Sequence, residues 1–388
     1  MIVATLVAVL GLVGVAVVTQ YTGYRLGGVI TVPVLAVYAL KNFLMLPVFV
    51  VSATVAYVGL WYFREFTLIY GRDELVVAIV LGTSVPLVTF LLLDGLGIDL
   101  SVVVFIGSIL PGLAAYNYHR IRPEYRRNDL LAGIGLLTGL ILLGWVLVTP
   151  GVAERIGTVT PPVLFAETAD VASYRGAVVD TVTEPVIVRR EVAAGLFVAG
   201  LLLAERLRNR FGVRVGVITA VLLAIYALAS YWLVLMYVAL FVGAFVFIQV
   251  AHYATLRYGR VLLGLTIAVT HLVSVPLALL LPTSRGLSAF FVAVLAGVTA
   301  YNAHATAPRE RRLVLPLQTV VFVPTLLLVR LFGTPGPNGI PAELTPAVVA
   351  VAVLVTLIAL GVTRWYTVTP PDEDEVLSAS VLSGGDRR

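Results

Sequence analysis

Residues 215–251 carry no charge at all. A bilayer core about 30 Å thick takes about 20 apolar residues of helix. This run is therefore too long for one crossing and reads as two spans folded near Ala229-Ser230. Further apolar runs, some short of a full crossing, lie at 2–18, 26–40, 43–63, 75–93, 100–118, 130–148, 192–204, 261–281, 287–303, 313–332 and 347–362. The expected architecture is an all-α polytopic membrane protein of about thirteen spans. The first run has no basic flank and no small-residue cleavage site, so it reads as a retained span and not a signal peptide.

Composition agrees. The chain is 60% hydrophobic and 12% charged, against about 45–50% and about 25% in soluble domains. That excludes a water-soluble enzyme with one core, and it excludes disorder. Cysteine is absent, which removes disulfides, thiolate metal sites and a cysteine nucleophile. The formal charge of +5 belongs to basic cytoplasmic loops in such a chain, so nucleic acid is not an expected partner.

The spacing reveals a duplication. Val29-Ile30-Thr31 and Tyr38-Ala39-Leu40 return 188 residues later as Val217-Ile218-Thr219 and Tyr226-Ala227-Leu228, and Thr67-Leu68-Ile69-Tyr70-Gly71-Arg72 returns as Thr255-Leu256-Arg257-Tyr258-Gly259-Arg260. At an offset of 185, Ala115, Tyr116, Asn117, His119, Pro123, Arg126 and Arg127 match Ala300, Tyr301, Asn302, His304, Pro308, Arg311 and Arg312. Apolar coincidence does not keep Asn, His, Pro and paired Arg in register.

Charge then sets the topology. With the N-terminus outside, nineteen arginines fall on the cytoplasmic side and seven basic residues outside, four of those in the linker near 150–190. Inverting the second repeat would expose its Arg-rich loops, against the positive-inside rule. The expectation is two parallel repeats of about six spans plus a C-terminal helix, N-out and C-in. A re-entrant second span would instead make the repeats inverted.

Thr22-Gly23, Leu68-Ile69-Tyr70-Gly71-Arg72 and Ile109-Leu110-Pro111-Gly112-Leu113-Ala114-Ala115-Tyr116-Asn117, in that order and spacing, resemble the poly-γ-glutamate biosynthesis protein PgsC/CapC family. Its members are small membrane proteins of about one repeat's length. The resemblance divides the chain into a first family-like repeat (1–149), a polar extracytoplasmic linker (150–190), a degenerate second repeat (191–335), and a terminal helix with an acidic tail (336–388). The second repeat keeps Glu205-Arg206 but has Ala296-Gly297 in place of Pro111-Gly112, and the first repeat has Pro33-Val34 where the family shows Pro-Gly. The resemblance implies a plasma-membrane, multi-pass subunit of a capsule-type synthase, working beside an ATP-dependent amide ligase and a surface subunit.

No catalytic constellation accompanies it. The sequence has no GxxxxGK[ST] phosphate loop, no HExxH zinc motif and no GxSxG elbow, so no catalytic, cofactor or metal residue is assigned. Without an ATP site the chain cannot itself activate a carboxylate, and a partner must carry that chemistry. Candidate contacts for the partner or a polyanion are Arg72, Asn117, His119, Arg126 and Arg127, with Arg260, Asn302, His304, Arg311 and Arg312 in the second repeat. The plainer reading makes the Asn and His residues interfacial caps and the Arg pairs topology anchors. Pro111 and Gly112 are a candidate helix break or packing kink, and Gly135 and Gly139 a pair for helix packing. Glu205 is placed to meet Arg206 or Arg208, and Arg330 to snorkel outward. The rival function is a secondary transporter of a small organic anion with two parallel repeats, disfavoured by the lack of mid-span carboxylates.

Overall fold

The computed structural model describes residues 1–67, 69, 71–95, 109–180, 186–213 and 215–368. The acidic tail and the first part of the expected 100–118 span lie outside the described residues. The rest is helical: α1 (Ile2–Thr22), α2 (Thr31–Lys41), α3 (Met45–Phe66), α4 (Arg72–Gly95), α5 (Ile109–His119), α6 (Arg126–Leu147), α7 (Pro150–Ile156), α8 (Asp170–Arg175), α9 (Arg190–Phe211), α10 (Val217–Ala229), α11 (Tyr231–Thr255), α12 (Gly259–Leu280), α13 (Gly286–Ala305), α14 (Arg311–Phe332) and α15 (Pro346–Val368). Among the described residues, only isolated β-bridges join the extended segments.

Among the described residues, eight helices are long and apolar enough to cross a membrane: α1, α3, the helical stretch ending in α6, α11, α12, α13, α14 and α15. The α9 helix carries Arg190 and Glu191 at one end and Glu205, Arg206, Arg208 and Arg210 near the other, around an apolar middle. Glu205 meets Arg208 at 4.0 Å, one of its two expected partners. The α12 and α13 helices are buried along most of their length, while α6 and α15 face outward. Val50, Val51, Val58 and Trp61 on α3, Val242 and Val246 on α11, and Leu354 and Leu357 on α15 are all exposed. So much apolar surface is a liability in water and the expected perimeter in lipid.

The break expected at Ala229-Ser230 is present. Ser230 is extended (φ −165°, ψ 130°) and its side chain accepts from the Trp232 N–H, so it ends α10 and caps α11. The α2 and α10 helices differ from full spans: with 11 and 13 residues they reach only about 16 and 20 Å at 1.5 Å per residue. Every residue of α2 is buried. Irregular backbone over 23–30 carries the chain to α2, and non-helical backbone is tolerated at depth where protein covers it. Leu26 in that segment is only 2% exposed.

The two ends of the bundle differ. At one end the linker packs as a cap, with Val163, Leu164, Phe165, Val171 and Ala172 buried. There Met1 N donates to Pro161 O (2.8 Å), Lys41 Nζ to Thr168 Oγ1 (2.9 Å), and Phe43 N to Asp170 Oδ2 (2.8 Å). Arg330 reaches past the end of α14 and donates to the carbonyls of Gly333, Pro341 and Ala342, tying α14 to the following loop. The opposite end gathers the arginine-rich loops.

Candidate functional site

The site begins where α1 stops. Gly23 takes a left-handed conformation (φ 72°) and returns its N–H to Thr19 O, the usual glycine stop of a helix. Leu26, Gly27 and Gly28 then follow with φ of 49°, 68° and 123°. Positive φ at a leucine is uncommon and persists only where the surroundings enforce it. Two side chains enforce it here. Asp129 Oδ1 accepts from the N–H groups of Arg25 (2.5 Å) and Leu26 (2.9 Å), and Asn117 Nδ2 donates to Gly27 O (3.3 Å) and Leu113 O (2.8 Å). Consecutive backbone N–H groups turned toward a carboxylate form an anion nest; Asp129, 2% exposed, fills it.

Arg25 belongs to this loop, and Arg120 and Arg260 act on it electrostatically. Arg260 at the start of α12 donates Nη2 to Asn117 Oδ1 (3.1 Å), joining positions 143 residues apart. Arg120 donates Nη1 to the Tyr116 hydroxyl (2.7 Å) and lies 5.3 Å from that ring's centroid. Arg25 repels both, and Asp129 attracts Arg25 and Arg260. Burial first, and Arg120 second, hold Arg25 below the usual arginine range, although Asp129 and Tyr116 oppose that. The arrangement can hold anions through charge-assisted hydrogen bonds. The described residues hold no group of three or more metal-ligating side chains.

The expected contact residues divide. Asn117 and Arg260 are brought together. Arg126 instead holds its own chain: Nε donates to Ile121 O (3.3 Å) and Nη2 to His119 O (3.4 Å). Arg311 repeats this on Thr306 O (3.0 Å) and His304 O (2.7 Å). Each clamps one carbonyl in the last turn of the preceding helix and one just past its end, groups without a helical partner. His119 Nε2 bonds Tyr57 O (2.9 Å), its ring stacked on Tyr57 at 4.2 Å. His304 faces His252 at 5.0 Å. Arg127 and Arg312 are exposed, the latter 5.9 Å from the Tyr366 ring centroid. Asn302 is half-buried on α13. Arg72 opens α4, while its side chain, with Leu68 and Tyr70, lies outside the described residues.

Pro111 and Gly112 do not interrupt α5. A Cβ at Gly112 would fall 2.4 Å from Ala78 O and Ile79 Cα, so glycine lets α5 touch the α4 backbone. Gly297 does the same for α13, 3.0 Å from Ile267 Cα. Gly135 and Gly139, expected to pack helices, have nothing within 4 Å; α6 turns them outward.

Arg25, Arg120 and Asp129 were not singled out by the motifs, whereas Tyr116 was part of both the repeat and the family-like segment. The available signal was Arg25-Leu26-Gly27-Gly28 directly after a helix-stopping glycine. Also unsignalled is His271, fully buried in α12 with both ring nitrogens unpartnered among the described residues. The recurring Tyr38 and Tyr226 are buried too, with unpartnered hydroxyls.

No curated protein and no solved structure matches the chain. The family model described as capsule biosynthesis CapC matches residues 10–127, an interval holding the irregular loop, the α4–α5 crossing and the Asn117–Arg126 segment. The first-half motifs that carry the resemblance all lie inside that interval, so residues 10–127 are similar to the CapC family.

Proposed function

We propose that this chain is the non-catalytic membrane subunit of a poly-γ-glutamate, capsule-type synthesis and export complex. In this reading it sits in the plasma membrane and scaffolds an ATP-dependent amide ligase beside a surface subunit. The observation that carries the reading is the CapC match over residues 10–127. The chemistry agrees, because the arginine-rich end suits carboxylates.

The reading includes two parallel repeats, a terminal helix, about thirteen spans, and an N-out, C-in orientation. The paired clamps at Arg126 and Arg311 support the repeat, as do the paired close approaches at Gly112 and Gly297. The 23–30 segment followed by α2 would serve as the second crossing. Its Leu26 end lies by α6 Gly133 and its Leu40 end by Gly144, so it runs along α6 without turning back. The linker cap is then extracytoplasmic, and the arginine end faces the ligase.

The test is deletion and complementation in the source cell. Loss of surface polymer on deletion, restored by the full chain, supports the role; unchanged polymer contradicts it. One observation favours the transporter alternative: His271, an ionisable group buried inside α12, is of the kind used in proton coupling. Uptake of small organic anions by the purified chain in vesicles, abolished by His271→Ala, would establish that alternative.

A further inference from the structure

We propose that the 23–30 loop, together with Asn117, Arg120 and Arg260, is a preformed binding site for neighbouring carboxylates of an acidic polymer. The identity of the polymer rests on the function proposed above; the charge arrangement does not. Arg25 lies in the loop, Arg260 is bonded to Asn117, which also bonds Gly27 O of the loop, and Arg120 is bonded to Tyr116 beside Asn117. The carboxylate acting on Arg25 and Arg260 is Asp129, and its Oδ1 is already engaged by two backbone N–H groups. Two positive charges remain in surplus.

Topology does not ask for this. The positive-inside rule needs basic residues in loops, and exposed ones such as Arg122 and Arg257 satisfy it. Half-buried Arg25 and Arg260 repel each other and Arg120, and one carboxylate, Asp129, offsets only part of that repulsion, so a further anion would be favoured. Among the described residues the Arg25 guanidinium has no hydrogen-bond acceptor. Arg260 is held through Nη2 and Arg120 through Nη1, so each keeps donors to offer.

The support is rigid. Asn117, 8% exposed, fixes both the loop and Arg260, while Asp129 fixes the loop from α6. Two surplus charges match two carboxylates on adjacent acidic units, each able to take a two-point guanidinium fork. A lipid phosphate is the competing anion. The site lies at the α1, α5, α6 and α12 ends, joined across the fold by the Asn117–Arg260 bond. The exposed apolar side chains on α3, α11 and α15 mark a different, lipid-facing surface.

The experiment uses the full chain in nanodiscs and a fluorescein-labelled γ-linked oligoglutamate, read by fluorescence polarisation. Arg25→Gln and Arg260→Gln should each weaken binding about tenfold or more, the size of one lost charge-assisted bond. Arg122→Gln, an exposed control of equal charge change, should shift it less than about twofold. Affinity should be the same in phosphatidylcholine discs and in discs containing phosphatidylglycerol. Failure of the unaltered chain to bind, or an Arg122→Gln loss equal to the other two, overturns the proposal. Competition by phosphatidylglycerol makes the site a lipid site and overturns it as well. Should a Gln variant fail to fold, Arg25→Lys and Arg260→Lys keep the charge, and wild-type affinity in both refutes the fork. Lost oligoglutamate binding with ligase co-purification intact would leave the scaffold role standing; the reverse result would sink that role and spare this site.

Discussion

Asp129 is the side chain on which the irregular loop depends, and two substitutions separate its hydrogen bonds from its charge. Asp129→Ala removes the acceptor of the Arg25 and Leu26 N–H groups. An unsatisfied buried donor costs about 1–3 kcal/mol. Leu26 is 2% exposed and bears the full penalty, whereas half-buried Arg25 recovers part of its own from water. The expected loss is therefore about 2–4 kcal/mol. Asp129→Asn keeps an oxygen acceptor and loses only the charge-assisted part, about 1 kcal/mol. Thermal unfolding of the detergent-solubilised protein, followed by fluorescence of its four tryptophans, should rank wild type above Asn and Asn above Ala. Equal stability of the Asn and Ala variants would refute the view that Asp129 holds the loop by its hydrogen bonds.

Other expectations bear on the rest of the structure. Gly112→Ala drives a Cβ to 2.4 Å from α4 backbone and should cost about 1–3 kcal/mol. Gly135→Ala, with open space around it, should be neutral or gain up to about 1 kcal/mol from helix propensity; matching melting temperatures would contradict the close α4–α5 contact. Arg311→Ala releases two carbonyl contacts and should lower stability by about 1–3 kcal/mol, while Arg312→Ala should change it little; the same melting assay checks both. In this cysteine-free chain, Glu167→Cys should react with an impermeant thiol reagent in intact cells, and Arg127→Cys and Arg312→Cys should be protected. Labelling at all three would break the orientation, and labelling at only one of the two arginine positions would make the repeats antiparallel.

Much of the helical frame was legible from the sequence because hydrocarbon length and the absence of charge are long-range, additive signals. The break at Ser230 shows this: no run as long as 215–251 can cross once. The short α2 was less legible. Apolar letters over 26–40 read the same whether they face lipid or protein, and only the packing shows that α2 is buried on every side. The site was legible in part. Asn117 and Arg260 stood out by repetition, but their partnership depends on helix ends distant in sequence. Arg126 and Arg311 repeated just as clearly and turned out to clamp carbonyls, since a recurring contact and a recurring brace leave the same trace in letters. Arg25 and Asp129 left no repeat; their roles come from backbone conformation, and the Gly27-Gly28 pair was the available hint.

The most direct measurement of the scaffold role is affinity purification of the tagged full chain from native membranes in mild detergent, with the eluate assayed for ATP-dependent amide ligation of glutamate. A ligase subunit should co-elute in fixed ratio with ATP-dependent glutamate incorporation. An eluate with neither ligase nor incorporation, from membranes that make the polymer, would contradict it.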